Sequence, residues 1–367
     1  MSGFARHASA LEALKTRGRL RVLSGRGGYD FASNDYLGLA DSDLLRNAAM
    51  AAIQRGVPVG SGGSRLLRGN AEEHELLEAE AAAFFSSEAA LFMGGGFVAN
   101  TAIFSTLPMQ GDLVLFDEWV HASAHEGMKL GRADTQAFAH NDVSDAAAKL
   151  EAWQGGRVWI AVESVYSMDG DIAPLKALAE LAVKHDAVLV VDEAHATGAF
   201  GAGLAHGLPG DIVGLHTCGK GLGVHGALIT ADRVLIDTLI AKARSFIYAT
   251  APSPLNAALV RAALAELSQS DTLPKAHQAL VAHAHAEAER CLGLTGFDSQ
   301  IMPVIVGEDR PALDLAARMQ AHGYDIRAIR PPTVPKGTSR LRIPITLNTP
   351  AEVITEMFET LAKEMAK

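Results

Sequence analysis

Two short stretches, about 25 residues apart, hold side chains that can do chemistry between an amine and a carbonyl compound. Asp192-Glu193-Ala194-His195 follows the apolar run Ala187-Val188-Leu189-Val190-Val191, and Lys220 lies in Thr217-Cys218-Gly219-Lys220-Gly221-Leu222-Gly223. A run apolar at every position reads as a strand covered on both faces. A carboxylate and an imidazole therefore stand at the carboxyl end of a buried parallel strand, where open α/β sheets place ligands. Glycines strip the bulk from around Lys220, and a crowded, partly desolvated lysine has a lowered pKa and forms imines. Singly, Gly-Lys-Gly is a common loop and Asp after a strand is a common helix cap. Together they suit pyridoxal phosphate (PLP), because a strand-end aspartate keeps the pyridine nitrogen protonated and makes the ring an electron sink. The phosphate needs a cradle. Met93-Gly94-Gly95-Gly96-Phe97-Val98-Ala99-Asn100 follows an apolar strand and opens a helix, so free amides would face an anion there. No Lys-Ser or Lys-Thr follows these glycines and the spacing of a dinucleotide fingerprint is absent, so a phosphate monoester fits better.

The elements that must position these groups are legible as an alternation. From about Asp41 to Tyr248, helical windows (Glu72–Phe85, Val143–Trp153, Pro174–His185) separate short apolar runs at Ala90–Phe92, Asp112–Phe116, Val158–Val162, Ala187–Val191, Ile212–His216 and Ala227–Thr230. That pattern predicts βαβ units and a mostly parallel sheet. After the breaker Ala251-Pro252-Ser253-Pro254 come two long Ala-rich helices in 255–292, then strand 301–306, helix 313–322, strand 341–345 and helix 352–362. The expected division is an N-terminal arm over 1–40, a large α/β domain over 41–251 and a small α+β domain over 252–367. The 367 residues are 49% hydrophobic and 20% charged, which is a globular composition. With 32 Lys+Arg against 42 Asp+Glu, the net charge of −10 would repel nucleic acid. Two cysteines, Cys218 and Cys291, build neither a disulfide framework nor a zinc module, and no apolar run approaches a membrane span. A cytoplasmic protein is expected.

At this point Ser33-Asn34-Asp35-Tyr36-Leu37-Gly38, Gly60-Ser61-Gly62-Gly63-Ser64-Arg65, Ser167-Met168-Asp169-Gly170-Asp171, Asp192 to Gly198 and Gly219 to Gly223 resemble, in order and over almost the whole chain, the α-oxoamine synthases. These are PLP enzymes of fold type I, which implies a mostly parallel seven-stranded sheet flanked by helices, a small α+β C-terminal domain and a homodimer with shared active sites. The stretches Phe138 to Asp142 and especially Ile329-Arg330-Pro331-Pro332-Thr333-Val334-Pro335 resemble the members that condense L-alanine with a pimeloyl thioester, carried on coenzyme A or acyl carrier protein. Relatives acting on glycine or serine usually differ at the Arg-Pro-Pro segment, and they are the nearest alternative reading. A non-catalytic scaffold subunit is argued against by Lys220, Asp192 and His195 standing together, and a dehydrogenase by the missing fingerprint.

The resemblance implies roles by position. Lys220 is the imine-forming lysine, Asp192 the pyridinium partner, His195 a donor to the ring oxygen and His121 the imidazole stacked on the ring. Gly96, Phe97 and Thr217 meet the phosphate or the ring edge, and Ser167 lies beside the ring. Thr250 reaches the phosphate of the neighbouring subunit. Arg342 clamps the amino-acid carboxylate, a bidentate task suited to guanidinium, with Asn34 and Ser64 also toward substrate. The arm is basic, with Arg6, Lys15, Arg17, Arg19, Arg21 and Arg26 against Glu12 up to Gly28, and its first segment reads as a helix over 8–19. It is either a solvated face or an attractant for coenzyme A phosphates or an acidic carrier, which makes Arg17, Arg19 and Arg21 candidates, with Arg330 a further substrate candidate. His121 and His125, four apart, have no third partner at metal-ligand spacing, and no metal is expected. His277, His283 and His285 read as solvated, Arg340 as structural or exposed, and Met168 as packing.

Overall fold

The computed structural model describes residues 3–23 and 25–367. Eleven strands are described. β1 (Tyr29–Phe31) belongs to a smaller sheet. The larger sheet takes β2 (Ala89–Met93), β3 (Leu113–Asp117), β4 (Asp134–Phe138), β5 (Val158–Glu163), β6 (Val188–Asp192), β7 (Asp211–Thr217) and β8 (Ala227–Ala231). β9 (Ile301–Gly307), β10 (Tyr324–Ile329) and β11 (Ser339–Pro344) complete the smaller one. The seven-stranded order is β2-β8-β7-β6-β5-β3-β4, parallel throughout except for β8, which runs antiparallel to both neighbours.

The doubly apolar strands are explained by what covers them. Val188 and Val190 join Val213, Leu215 and Trp159 in one core with the helices Gly96–Thr106 and Ala122–Leu130. Leu189 and Val191 join Ile160, Val162 and Leu115 in a second core with helices Val143–Ala152 and Leu175–Lys184. Successive residues of a strand point to opposite faces, so every position of β6 up to Val191 has a core to enter. Each such aliphatic side chain contributes about 1.5–3 kcal/mol on burial. The carboxyl ends of β3, β5, β6 and β7 consequently emerge on one rim, which carries Asp117, Glu163, Asp192 and Thr217.

Two strands are not foreshadowed by hydropathy. β4 is Asp-Thr-Gln-Ala-Phe, an edge strand mostly exposed and paired only with β3, so it has no apolar run to betray it. β10 mixes Asp325 and Arg327 into its sequence and is recruited by pairing with β1 and β11. The parallel β1–β10 pair ties the N-terminal segment to the C-terminal sheet, with Gly28 in the left-handed region packed on the Gly323 carbonyl. The first helix spans Ala5–Thr16 rather than 8–19; none of its residues is buried, and Gly18, at φ 64°, turns the chain away. Of the histidines read as solvated, His277 is buried, while His283 and His285 are partly exposed and hydrogen-bonded. His277 is 1% exposed and bonds the Ile345 carbonyl at 2.9 Å, His283 bonds Ala351 and Thr355, and His285 bonds the Ser299 carbonyl. Their helix Thr272–Leu292 shares the core of the smaller sheet, which makes hydrogen-bonding positions of all three and an interior one of His277. Among the described residues no helix is long and apolar enough to cross a membrane.

Candidate active site

β6 ends at Asp192, and the chain turns at once. Glu193 N–H bonds the Leu215 carbonyl at 2.8 Å and Ala196 N–H bonds the Glu193 carbonyl, which directs His195 inward, 4% exposed. β7 ends at Thr217, and the lysine loop closes through Gly223 N–H to the Lys220 carbonyl at 2.9 Å and Val224 N–H to the Cys218 carbonyl at 2.8 Å. Two of the glycines here are a packing requirement. A Cβ on Gly221 would lie 2.3 Å from the Thr197 carbonyl oxygen, and one on Gly223, at φ 68°, would lie 2.6 Å from the Ala40 amide.

The two turns bring Lys220 Nζ to 2.6 Å from His195 Nε2. His195 Nδ1 lies 2.6 Å from the Tyr36 hydroxyl, which is 3.1 Å from Asn34 Oδ1. Asn34 Oδ1 also accepts from Arg342 Nη2 at 2.9 Å, and Arg342 Nε donates to the Ser167 carbonyl at 2.6 Å. A continuous polar chain thus joins Lys220 to Arg342 across the two sheets. Burial lowers the Lys220 amine to about 8, against the opposing pull of the Asp192 carboxylate. Burial, then the charges of Lys220 and Arg342, push His195 well below the usual imidazole range, so it is neutral.

A second group hangs on Asp192. Its Oδ1 accepts from the Ala194 amide at 3.0 Å, and its Oδ2 from Asn100 Nδ2 at 2.7 Å. Asn100 also donates to Ser123 Oγ at 2.9 Å, and Ser123 Oγ is 2.7 Å from His121 Nδ1. His121 caps helix Ala122–Leu130 by accepting from the Ser123 amide, and burial lowers its pKa, so its ring is neutral and held in place. The helix Gly96–Thr106 has Gly95 as its cap with no side-chain partner, which leaves its first amides free; Gly96 packs against Thr217, where a Cβ would lie 3.5 Å from Oγ1. Phe97 beside it is half exposed.

A group with an aldehyde, a protonated ring nitrogen and a phosphate monoester fits this arrangement. The nucleophilic amine, the braced carboxylate and the free helix amides with a hydroxyl alongside are all present on one rim.

Other candidates fall elsewhere. Arg17, Arg19, Arg21 and Arg330 line a separate groove of about 850 Å³ against Pro331, Pro332 and Thr333. Arg19 bonds Asp309 at 3.3 Å, Arg21 approaches Thr333 Oγ1 at 3.5 Å, and Arg330 donates to the Gly18 carbonyl. Ser64 and exposed Thr250 lie in two segments tied together by Ala251 N–H to the Gly63 carbonyl at 2.9 Å. Arg340 is buried, paired with Asp169 and bonded to the Met168 carbonyl. No group of three or more His, Cys, Asp or Glu able to hold a metal occurs among the described residues. Sequence reasoning singled out neither Tyr36, Asn100 nor Glu163. Tyr36 and Asn100 sit inside stretches already quoted for other reasons, but only the fold shows that their polar ends meet His195 and Asp192.

The chain is similar to known proteins over most of its length. Residues 26–361 match the class I and II aminotransferases. An 8-amino-7-oxononanoate synthase of Chromobacterium violaceum is 41% identical over 330 residues, covering 88% of this chain and 85% of that protein. Among solved structures, serine palmitoyltransferase from S. paucimobilis, holding a PLP–myriocin adduct, superposes with a TM-score of 0.86 at 26% identity, covering 100% of this chain and 98% of the other. An 8-amino-7-oxononanoate synthase from Francisella tularensis gives 0.75 at 26% identity, covering 92% and 98%.

Proposed function

The chain belongs to the class I and II aminotransferase family, and we propose that within it the protein uses PLP to condense L-alanine with a pimeloyl thioester, releasing CO2 and thiol and forming 8-amino-7-oxononanoate for biotin biosynthesis. The observation that carries the reading is the hydrogen-bonded chain from Lys220 through His195, Tyr36 and Asn34 to Arg342, beside Asp192. It places an amine, a neutral imidazole and a carboxylate clamp around one space.

When bound, PLP supplies an electrophilic carbonyl and a ring that stabilises negative charge at the amino-acid Cα. Lys220, with a pKa of about 8, is about one-tenth neutral at pH 7, against well under a hundredth for an ordinary lysine, and would be the nucleophile that holds the aldehyde. Asp192, fixed by Asn100 and Ala194 N–H, would hold the ring nitrogen protonated, and His121 would cover the ring. Thr217 and the amides of Gly96 and Phe97 would hold the phosphate, with Ser167 beside the ring. Arg342 and Asn34 bind the alanine carboxylate and orient the Cα–H bond. Lys220 would be the base that removes that proton and later returns one. His195, neutral and accepting at Nδ1 from the Tyr36 hydroxyl, would carry its proton on Nε2 and donate it to the ring oxygen or, in turn, to the attacked thioester carbonyl.

The groove with Arg17, Arg19, Arg21 and Arg330 attracts the acyl donor, either the phosphates of coenzyme A or an acyl carrier protein. Ser64 borders the substrate in the same proposal, Thr250 serves the phosphate of a second subunit, and the working form is a cytoplasmic homodimer. Arm 1–40, large domain 41–251 and small domain 252–367 are its mechanical parts.

The test is direct. Purified protein with PLP, L-alanine and pimeloyl-coenzyme A is expected to yield the amino-oxo acid by mass, with glycine and serine much poorer. The likeness to serine palmitoyltransferase keeps a serine-using relative as the second reading, and preferential turnover of serine would establish it instead.

A further inference from the structure

Glu163 ends β5 and is the register neighbour of Asp192 on β6. Its side chain is enclosed, with the residue 3% exposed. Oε2 accepts from the Ser167 amide at 3.2 Å, whereas Oε1 is buried without a hydrogen-bond partner. The reaction scheme above gives this acid no task. The groups facing it are Asp192 on β6, Lys220 in the loop after β7 and Asp117 at the end of β3, with the Tyr166 and Tyr36 phenols nearby. Arg342 lies one link away, because Ser167, whose amide donates to Glu163, accepts the Arg342 Nε bond on its carbonyl at 2.6 Å.

An ionised carboxyl here would leave a charged oxygen without solvent or donor and would stand beside a second carboxylate on the next strand. It would also hold Lys220 as an ammonium, which cannot attack an aldehyde, and would compete with an incoming carboxylate for the field of Arg342. None of these conflicts arises for the neutral acid. We propose that Glu163 is a positioning residue held as the neutral acid, which fixes the Ser167 turn that orients Arg342 and, by carrying no charge, leaves Arg342 free for the substrate carboxylate. Burial, and after it the Asp192 charge, raises its pKa well above the ordinary carboxylate range, in accord with this. The inference deepens the proposed function and rests on Arg342 as the amino-acid clamp.

Two variants separate charge from hydrogen bonding. Glu163→Gln keeps an acceptor for the Ser167 amide and carries no charge; Glu163→Leu removes the acceptor. In infrared difference spectra of the PLP-free protein at neutral pH, wild type minus Glu163→Gln is expected to show a carboxylic acid C=O stretch. A carboxylate band in its place overturns the proposal. With PLP-loaded protein titrated with L-alanine by absorbance, Glu163→Gln is expected to keep the alanine affinity within about threefold. Glu163→Leu is expected to weaken that affinity about tenfold or more with PLP affinity unchanged. Equal weakening by both, or none by Leu, overturns it. Should Glu163→Leu fail to fold, the infrared band and the Gln titration decide. None of these readouts uses an acyl donor, so they stand or fall apart from the pimeloyl reaction.

Discussion

A lysine buried beside a neutral histidine is reactive for reasons of solvation. Removing water disfavours the ammonium of Lys220 more than the Asp192 carboxylate restores it, and the balance rests at about 8. Deprotonation on raising the pH creates the nucleophile, so the rate at which PLP-free protein captures PLP is expected to rise through pH 8 and level off above it. Stopped-flow absorbance measures this, and a rate flat from pH 6.5 to 9.5 would refute the assignment. Lys220→Ala should capture no PLP covalently, shown by the absence of a borohydride-fixed adduct by mass. Tyr36→Phe removes the hydroxyl that aligns His195 and leaves Nδ1 without its 2.6 Å partner. A buried polar group left unpaired costs about 1–3 kcal/mol, so kcat/KM should fall about 10- to 100-fold with PLP affinity nearly unchanged. Equal kcat/KM for the variant and wild type would remove Tyr36 from the network.

The elements are held to one another at the rim by charge as well as by packing. His140, just beyond β4, bonds Asp117 at the end of β3 at 2.9 Å and Asp171 at 2.7 Å, and it stacks on Trp119 with ring centroids 3.7 Å apart. Burial alone would lower its pKa, but the bonds to the two carboxylates prevail and raise it to about 9. A folded-state pKa above the unfolded value means that the stabilisation is fully present below about pH 6.5 and fades as pH rises through about 9. Chemical denaturation of wild type and His140→Asn at pH 6 and pH 10 should show a difference that shrinks by about 1–2 kcal/mol at the higher pH, a figure discounted for partial solvent screening. A pH-independent difference would mean that folding does not raise the imidazole pKa. The same rim explains why position 221 takes no side chain, since a Cβ on Gly221 would overlap the Thr197 carbonyl oxygen.

Across the whole molecule, an acidic chain carries its positive arm against the C-terminal sheet, so the groove lined by Arg17, Arg19, Arg21 and Arg330 stands out against a net charge of −10. Exposed charges act chiefly over a Debye length, about 8–10 Å at physiological salt. Reversing Arg17, Arg19 and Arg21 to Glu is therefore expected to raise KM for the acyl donor, abolish its salt dependence and leave PLP and alanine affinity intact. Steady-state kinetics between low and physiological salt provide the measurement, and an unchanged KM would detach the arm from donor binding.

The local features lay open to reading in the chain. The doubly apolar β6 running into Asp192, the glycine-lined Lys220 and the alternation of helices with strands each follow from side-chain period and backbone freedom, which are properties of neighbours in sequence. Edge strand β4 and the charged β10 escaped because pairing with a distant partner, not hydropathy, makes them strands. His277, His283 and His285 looked wet because a helix's polar positions do not announce which of them a second layer will cover. Tyr36, Asn100 and Glu163 belong to the site because segments 159, 92 and 29 residues from their partners close on it, and Arg342 completes it from the other sheet. Sequence spacing constrains what residues a few positions apart can do together; contact between residues hundreds of positions apart is decided by which apolar faces bury one another, and that only the folded chain settles.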